Sequence, residues 1–470
     1  MQAEIWCGVA WLEFRAFHRQ GSSFHRNRSA HGDRLPVSSS AGVAKMRPMH
    51  WLRRLPALRY RTYREFFAGS ALSNLGAFAQ SSAVIWQVAE MTGSPEAVGM
   101  IPLIRVVPTI LLSLPAGVIA DQLDRRKVLL ATQLGLLGVA VALGWITMSG
   151  AVQLWHIYLL MAITGALRAF DMPARHALVP RLVPLRHFPN AVTLNSVAWR
   201  ISEVGGPVLM GVMVYRGGFD FGAFAVPGLA SCYFFNALTF LAMILAYWRM
   251  PPHLPEFESE SERIQSFGEI LPAIREGLAF VRKNNVVRSS MLIDFWATFF
   301  STADALLPFY ATDIFGRDVS AFSQMQAAIA VGSFLAALVM SVLRPMRKQG
   351  LGVIFAVAIY GLATALFAFC PVYWLALVLL AMTGAADSVS TIWRQTIRQV
   401  RTPDRLRGRV GAVAGILQRS GPQLGDYEAG FVGERLGVRL SVLLGGIACL
   451  GIAGLWYRSK ALREYEHTTK

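Results

Sequence analysis

Residues 128–148 read VLLATQLGLLGVAVALGWITM, a stretch without any Asp, Glu, Lys or Arg. A helix needs about 20 mostly apolar residues to cross the hydrocarbon core of a bilayer, because lipid offers exposed backbone groups no hydrogen-bond partner. Apolar runs of this length recur along the chain from about residue 67 onward. The sequence therefore predicts an integral membrane protein with many spanning helices.

The overall composition points to the same class of protein. Of the 470 residues, 54% are hydrophobic and 16% are charged, and the mean hydropathy is +0.43. Soluble domains carry about 25% charged residues. The net charge of +17 invites a nucleic-acid interpretation, but Lys and Arg cluster in short stretches between the apolar runs. Such a distribution is typical of the cytoplasmic loops of membrane proteins, so no nucleic-acid partner is expected.

The four cysteines show no metal-binding or redox spacing. Cys232, Cys370 and Cys449 lie in or beside apolar runs, whereas Cys7 lies near the amino terminus. A cysteine in an apolar helix behaves as a small hydrophobic residue. We therefore expect neither a disulfide nor a metal site.

The apolar pattern predicts twelve spanning helices with a polar gap after the sixth. They fall near 67–89, 95–119, 128–148, 154–171, 190–214, 226–248, 288–311, 321–343, 351–370, 373–393, 409–433 and 438–457. We predict an all-α membrane fold of two pseudo-symmetric six-helix bundles, at 56–250 and 288–460. A disordered extension is expected at 1–55, a cytoplasmic linker with an amphipathic helix at 251–287, and a cytoplasmic tail at 461–470.

Basic residues in the loops predict the orientation of the chain. With the amino terminus inside the cell, four loops on the cytoplasmic side hold most of them: Arg125, Arg126, Lys127, Arg175, Arg181, Arg186, Arg344, Arg347, Lys348, Arg398, Arg401, Arg405, Arg407 and Arg409. The opposite loops hold only Arg216, Arg317, Arg435 and Arg439. Cytoplasmic loops are enriched in Lys and Arg. Both termini are therefore expected in the cytoplasm.

Short motifs repeat between the two predicted bundles. Thr164-Gly-Ala recurs 219 residues later as Thr383-Gly-Ala, and Gly206-Pro207 recurs 215 residues later as Gly421-Pro422. A nearly constant offset indicates a duplicated unit. Many transporters have this organisation and move one half against the other.

A loop motif between the second and third predicted helices carries a family resemblance. It reads Gly117-Val-Ile-Ala-Asp121-Gln-Leu-Asp-Arg125-Arg126-Lys127. This resembles the loop signature of the major facilitator superfamily, although Gln122 replaces a basic residue and Asp124 a glycine. The resemblance implies a gating latch in which Asp121 pairs with a basic group or caps a helix. An ordinary positively charged loop is the alternative interpretation.

Two further loops extend the resemblance to one branch of that superfamily. Residues 169–180 (AFDMPARHALVP) and 402–410 (TPDRLRGRV) are similar to loops of the bacterial branch that includes the enterobactin exporter and macrolide efflux proteins. The resemblance implies an exporter of drugs or siderophores that is driven by the proton gradient and needs no other cofactor. The residues alone do not distinguish export from import.

The fifth predicted helix contains Gly206-Pro207-Val-Leu-Met210-Gly211. It resembles the Gly-Pro-x-x-Gly-Gly signature of antiporters in the superfamily, with Met210 in place of the first paired glycine. Small residues allow helices to pack closely, and proline stiffens a bend. Ordinary helix packing explains the same residues, so both interpretations stay open.

Ionisable residues inside predicted spans indicate a coupling site or a substrate path. Each costs about 2.5–3.5 kcal/mol at mid-membrane, so its presence requires a reason. The main candidates are Glu203, Asp304, Arg105, Arg200, Asp387, Arg419 and Asp426, with Asp294 and Glu428 in addition. The pair Arg200 and Glu203 also fits a structural ion pair. The uncharged residues Asn74, Gln80, Gln87 and Gln326 either line a cavity or form hydrogen bonds between helices.

The chain carries no sequence pattern of an enzyme or an ATP-driven pump. A P-loop, a Ser-His-Asp set, HExxH and paired cysteines are all missing from the sequence. A monomeric secondary transporter that exports a small amphipathic molecule by alternating access is therefore the preferred interpretation. The alternatives are a lipid-handling membrane protein, as a flippase or lipid-modifying enzyme, and a non-transporting sensor on the same scaffold.

Overall fold

Long helices joined by tight turns make up most of the chain in the computed structural model. The structure describes residues 55–122, 124–220, 225–251, 267–343 and 346–466. Residues 1–54 of the predicted extension, residues 252–266 of the predicted linker, Arg344 and residues 467–470 of the predicted tail lie outside the described residues.

The first half consists of six long helices and a small hairpin. The helices are α1 (Arg61–Thr92), α2 (Pro95–Gln122), α3 (Arg125–Met148), α4 (Leu154–Leu182), α5 (Phe188–Tyr215) and α6 (Gly228–Trp248). Single-turn helices at Pro56–Arg59 and Leu185–His187 precede α1 and α5. Strand β1 (Phe219–Asp220) pairs antiparallel with β2 (Ala225–Val226) between α5 and α6.

The second half begins with an amphipathic helix and continues with six further helical segments. The long helices are α7 (Phe267–Lys283), α8 (Asn285–Ser301), α9 (Val319–Val342), α10 (Gln349–Ala368), α11 (Tyr373–Arg401), α12 (Arg407–Leu436) and α13 (Val438–Arg458). Short helical turns lie at Asp304–Leu306, Leu307–Phe309, Tyr310–Ile314, Asp404–Leu406 and Lys460–Arg463.

Nine helices within the described ranges are long and apolar enough to cross a membrane: α2 to α6, α9, α10, α11 and α13. The segments α1, α8 and α12 also lie at predicted spans but carry more polar residues or are shorter. The count of twelve crossings stays a prediction.

Local side chains explain where several helices begin and end. The Asp124 carboxylate accepts a hydrogen bond of 2.9 Å from the Arg126 N–H and caps α3. Asp318 caps α9 in the same way, and the Asn284 side chain caps α8. Gly93 ends α1 with a φ of 60°, a left-handed conformation that glycine adopts without a steric penalty. Asp124, which stands where the resembling loop signature has a glycine, therefore has a structural role as a helix cap.

The helix pairs of the two halves match one another. In the first half α1 packs on α5 and α6, α2 on α4, and α3 on α6. In the second half α8 packs on α12 and α13, α9 on α11, and α10 on α13. The halves meet where α2 packs on α12 and α5 packs on α9. This is the arrangement that the repeated motifs predict.

The Thr-Gly-Ala repeat forms an equivalent contact in each half. The Thr109 hydroxyl on α2 donates a hydrogen bond of 2.8 Å to the Gly165 carbonyl on α4. The Ser333 hydroxyl on α9 donates one of 2.9 Å to the Gly384 carbonyl on α11. A Cβ atom on either glycine would clash with backbone of the facing helix. Glycine at these positions therefore lets the two helices approach closely enough to form the bond.

The seventh span corrects a sequence prediction. A continuous helix was expected at 288–311, but α8 ends at Ser301 and the chain resumes helical turns only at Asp304. Pro308, beyond the break, is incompatible with a regular α-helix through this stretch, since a proline ring clashes with the carbonyl four residues earlier, here that of Asp304. The break leaves backbone groups free for other partners.

Substitution of Gly384 by valine is expected to lower the thermal stability of the purified protein. The new side chain would meet the Ile329 carbonyl and the Ser333 hydroxyl, and overpacking of this kind costs about 1–3 kcal/mol. Thermal unfolding in detergent, followed by tryptophan fluorescence, measures the change. Gly451→Val is the matched control, because a Cβ at Gly451 has no neighbour within 4 Å. Equal unfolding temperatures for the two variants would contradict the role of the close contact.

Candidate functional site

A cavity of about 200 Å³ lies between the two halves. Its polar lining comes from five helices and the break after α8: Ser81, Ser82, Arg105, Glu203, Asp304, Gln326 and Asp426. Apolar side chains form the remaining wall: Phe78, Ile85, Val98, Ile101, Pro102, Pro207, Ala305, Ile329 and Ala330. The cavity therefore combines an apolar surface with three carboxylates and one guanidinium group.

Three of the four ionisable side chains in the cavity have a hydrogen-bond partner. Asp426 accepts a hydrogen bond of 3.2 Å from the Ala305 N–H, and Arg105 donates one of 3.2 Å to the Ser81 hydroxyl. Glu203 accepts one of 2.9 Å from Arg200. Among the described residues, none donates a hydrogen bond or forms an ion pair with the Asp304 carboxylate.

Electrostatic interactions connect these groups across the interface between the halves. Asp304 interacts with Glu203 on α5 and with Asp426 on α12, and Asp426 interacts with Arg105 on α2. The charged groups therefore form one series that runs through both halves. A change in the charge of one member alters the energy of the others.

The helix break positions the two aspartates of the second half. The Ala305 N–H can bond to Asp426 because it lies at the start of a new helical turn, where no carbonyl of a preceding turn accepts it. Discontinuous helices supply ion and substrate sites in other transporters for the same reason. The interruption near Pro308 therefore creates part of the cavity wall.

Four of the seven candidate coupling residues share this cavity, and three lie outside it. Arg200 pairs with Glu203 from the adjoining surface, so the pairing that the sequence left open is present. Asp387 lies 3.7 Å from Arg394 on the same helix, and Arg419 is exposed on α12. Glu428 is half-buried and does not line the cavity.

Of the uncharged polar candidates, Gln326 lines this cavity and accepts a hydrogen bond of 2.5 Å from the Ser82 hydroxyl across the two halves. Asn74 lines a different cavity, within the first half. Gln80 accepts a hydrogen bond from Asn236, and Gln87 bonds to Tyr233 on α6. These two glutamines therefore connect helices within the first half.

A buried ion pair in the second half was not expected from the sequence. Arg394 on α11 pairs with Asp294 on α8, and their side chains are only 5% and 8% exposed. Arg394 follows Arg175 by 219 residues, which is the offset of the Thr-Gly-Ala repeat. This shared offset is the signal in the sequence that could have identified Arg394 as a functional residue.

Arg175 occupies the equivalent place in the first half but has different partners. It pairs with Asp171 on its own helix at 3.1 Å and donates a hydrogen bond of 3.1 Å to Ser70 on α1. The Gln133 side chain donates a hydrogen bond of 2.7 Å to Asp171. These residues and Arg168 line a second cavity of about 500 Å³ within the first half. In each half, the arginine thus connects the fourth helix to the first.

The predicted gating motif spans the end of α2 and the start of α3. Gly117 and Asp121 are in the last turns of α2, but the environment of the Asp121 side chain lies outside the described part of the structure. Arg126 donates hydrogen bonds of 2.9 and 2.6 Å to the carbonyls of Tyr247 and Trp248. Arg126 therefore fixes the start of α3 to the carboxyl end of α6, while Arg125 is half-buried beside it.

The antiporter-like motif on α5 faces two different helices. A Cβ on Gly206 would clash with Phe78 on α1, and a Cβ on Gly211 would clash with Ser323 on α9. Pro207 lines the central cavity, and Met210 is fully buried. The glycines are therefore needed for close packing both within the first half and between the halves.

Contacts between the halves concentrate at the end of the molecule where α1 turns into α2, here called the closed end. The Ser94 hydroxyl donates a hydrogen bond of 2.8 Å to Glu434, and Arg435 pairs with Glu96 at 3.1 Å. Gly99 and Gly430 bring the backbones of α2 and α12 together nearby. These contacts join the halves on one side of the cavity.

The sequence matches one known family over nearly its whole length. The family described as transmembrane secretion effector matches residues 54–470. The enterobactin exporter EntS of Shigella boydii is 25% identical over 412 residues, which cover 87% of this chain and 94% of that protein. Macrolide efflux protein A of Streptococcus pyogenes is 21% identical over 396 residues, or 82% of this chain and 93% of that protein.

The fold is similar to that of solved transporter structures. A bacterial homolog of the human lysosomal transporter Spinster, in an inward-facing and occupied conformation, superposes with a TM-score of 0.68 at 15% identity. The match covers 87% of this chain and 99% of that one. At this identity the likeness concerns the fold.

Replacement of Asp294 by asparagine is expected to destabilise the protein strongly. The change removes the buried one of the two carboxylates that pair with Arg394 and leaves the exposed Asp387 at 3.7 Å, and breaking a buried pair costs about 3–5 kcal/mol. Asp387→Asn is the matched control, because that side chain is 46% exposed and an exposed pair contributes about 0–1 kcal/mol. Thermal unfolding in detergent compares the two. The double variant Asp294→Asn/Arg394→Gln should unfold above the single variant, and failure to do so would argue against charge burial as the cause.

Proposed function

Because the chain belongs to the transmembrane secretion effector family of the major facilitator superfamily, we propose that it exports a small amphipathic molecule in exchange for protons. The family and its matched relatives are transporters rather than enzymes. The multi-pass helical fold agrees with membership of this transporter family. We place the protein in a bacterial inner membrane as a monomer, with both termini in the cytoplasm and no cofactor other than the proton gradient.

The cavity between the halves is the observation that carries this proposal. It lies where α2 meets α12 and α5 meets α9, so movement of one half against the other changes its surroundings. Its walls come from both halves, as alternating access requires of a site that opens to each side in turn. Its apolar and charged surfaces suit an amphipathic substrate.

The charges in the cavity support proton coupling. Glu203, Asp304 and Asp426 together carry three negative charges when ionised, against the two positive charges of Arg105 and Arg200. Burial of a net charge is unfavourable, so the set reaches neutrality when one carboxyl group binds a proton. We assign proton uptake to the three carboxyl groups. We assign the positioning of Glu203 to Arg200 and that of Asp426 to Arg105.

The closed end supports an inward-facing state. The positive-inside pattern places the turn between α1 and α2 on the outer side of the membrane. The contacts Ser94–Glu434 and Glu96–Arg435 would then seal the cavity from the outside. Transport would require these contacts to break as the outward-facing state forms.

A lipid-handling role is the second candidate. A groove of about 960 Å³ lies between α9 and α11, and the residues that line it, from Gly332 to Trp393, are of apolar types. Such a groove can hold an acyl chain. Proteoliposomes with a labelled phospholipid would reveal flipping, whereas an exporter of soluble compounds leaves the lipid distribution unchanged.

Asp304→Asn is expected to abolish proton-driven export while substrate exchange is retained, because the variant cannot alternate between charged and neutral forms. Cells that lack the protein and cells that carry each variant are compared for accumulation of a labelled macrolide and of enterobactin, with and without a protonophore. Glu428→Gln is the control, since it removes one carboxylate two residues from Asp426 without altering the cavity. Lower accumulation in cells that lack the protein would show import instead.

Joining Ser94 to Glu434 is expected to stop transport. Both residues are replaced by cysteine in a background without the native cysteines, and a short cleavable thiol cross-linker connects them. The link holds the closed end together, so the cavity cannot open to that side. Cleavage of the cross-linker should restore activity. Undiminished transport by the linked protein would exclude opening at this end.

A further inference from the structure

The second cavity, within the first half, carries a positive charge that no residue in the described part of the chain neutralises. Three guanidinium groups and one carboxylate line it: Arg168, Arg175, Arg200 and Asp171. Arg175 pairs with Asp171 at 3.1 Å, and Arg200 pairs with Glu203 at 2.9 Å. Within the described ranges, the Arg168 side chain has neither a hydrogen bond nor an ion pair. The wall of the cavity therefore contains one cation without a counterion.

The surroundings of Arg168 make this unpaired charge more costly. The side chain is partly buried and interacts electrostatically with Arg105, Arg175 and Asp171, so two of these three neighbours are also cationic. A charge held away from water without a partner is unfavourable. The planar guanidinium group presents N–H donors that match the oxygens of a carboxylate or phosphate. The site therefore favours an oxyanion.

A second group in the same wall lacks a partner. The Gln133 side chain on α3 is fully buried, and its amide nitrogen donates a hydrogen bond of 2.7 Å to Asp171. Its amide oxygen has no hydrogen-bond partner among the described residues. A buried acceptor without a donor is unfavourable, and a hydroxyl group can supply the missing donor. The cavity thus combines a site for a negative group with a site for a hydroxyl group.

The open side of the cavity lies along α5 and is largely apolar. The lining residues that are exposed are all on this helix: Val192, Ser196 and Trp199. Val192 is 44% exposed and Trp199 is 40% exposed. An apolar chain attached to a ligand in the cavity can therefore leave it along these two side chains.

The cavity also lies at the depth of phospholipid headgroups. Its lining includes Phe66 and Phe188, which are close to the predicted cytoplasmic starts of the first and fifth spans at 67 and 190. It also includes Arg175, beyond the predicted end of the fourth span at 171. The positive-inside pattern places these helix ends at the cytoplasmic surface. Basic pockets between helices on this side bind anionic headgroups in other membrane proteins.

We propose that the second cavity binds a phosphate ester that carries a hydroxyl group. The phosphate pairs with Arg168, and the hydroxyl group donates a hydrogen bond to Gln133. Two sources share this chemistry, phosphatidylglycerol of the inner leaflet and a soluble ester such as glycerophosphoglycerol. The apolar open side at Val192 and Trp199 favours the lipid. The volume of about 500 Å³ is within the roughly 300–1,000 Å³ of ligand pockets. The inference goes beyond the proposed function, since neither proton coupling nor the direction of transport enters it.

Short-chain lipids that differ in the headgroup test the proposal on the purified full chain in detergent. Dihexanoyl phosphatidylglycerol carries the phosphate and hydroxyl groups, the phosphatidylmethanol analogue carries the phosphate alone, and the phosphatidylcholine analogue adds a cation that would meet the arginines. Isothermal titration calorimetry should show the glycerol lipid binding at least about tenfold tighter than the choline lipid, with the methanol lipid between them.

Two results of this comparison would count against the proposal. Equal binding of the glycerol and choline lipids, or binding of neither, would overturn it. Equal binding of the glycerol and methanol lipids would overturn the contact between the hydroxyl group and Gln133.

Glycerophosphoglycerol, the same headgroup without acyl chains, distinguishes the two sources. If the ligand is a lipid, this compound should bind at least about tenfold more weakly than dihexanoyl phosphatidylglycerol, because the apolar contacts with Val192 and Trp199 are lost. Binding as tight as that of the lipid would overturn the lipid as occupant and assign the site to a soluble phosphate ester.

Variants identify the group that binds the phosphate. Arg168→Gln should lose the preference for the glycerol lipid over the choline lipid, and Arg168→Lys should retain it. Arg249→Gln is the matched control, because Arg249 is exposed at the carboxyl end of α6, on the side expected in the cytoplasm, and does not line the cavity. An unchanged preference in Arg168→Gln would place the phosphate recognition elsewhere and overturn the assignment.

Thermal unfolding gives a second measurement on the same proteins. Dihexanoyl phosphatidylglycerol should raise the unfolding temperature of the wild type and of Arg249→Gln but not that of Arg168→Gln, since a ligand stabilises the state that binds it. Without lipid, Arg168→Gln should unfold no lower than the wild type, because it loses a charge that has no partner. A variant that unfolds lower, or does not fold, would contradict the unpaired state of Arg168 on which the proposal rests.

Discussion

The hydrogen bond from the Ala305 N–H to the Asp426 carboxylate joins the broken seventh segment to α12. Lipid and apolar side chains offer no partner to a backbone group released by a helix break, so the break is stable only where a polar side chain accepts the bond. The same contact brings Asp304 and Asp426 to one wall of the cavity. The position of the central charges therefore depends on this link between two helices.

Close helix packing provides the frame that holds this site. Gly165 and Gly384 allow matched hydrogen bonds in the two halves, and Gly206 and Gly421 allow α5 and α12 to approach the first helix of their own half. The similarity ends at the charged residues. Arg394 joins α11 to α8 through an ion pair, whereas in the described part of the chain Arg175 contacts α1 through the Ser70 hydroxyl. The two halves thus share a backbone plan and differ in polar connections.

The sequence predicted the parts of the fold that follow from local chemistry. Apolar runs and loop charges indicated the helices, and repeated motifs indicated the two halves, whose equivalent contacts the structure contains. The interruption of the seventh span was not predicted. The apolar pattern continues across the break, and Pro308 lies near the end of the predicted span rather than at the break. Ionisable residues inside spans were identified one by one, but their grouping depends on contacts between helices far apart in sequence. Composition could not show that Arg105, Glu203, Asp304 and Asp426 meet, or that Asp387 and Arg419 lie apart.

The ratio of three carboxylates to two arginines also bears on the energy source of the transport cycle. If the set stays neutral by holding either one proton or one monovalent cation, each passage carries the same charge in opposite directions. Movement of one elementary charge through the membrane potential is worth about 2.3 kcal/mol per 100 mV, and in such a cycle this contribution cancels. The carrier would then respond to the pH difference alone and be insensitive to voltage, so its activity would persist in a depolarised cell that still maintains an acidic exterior.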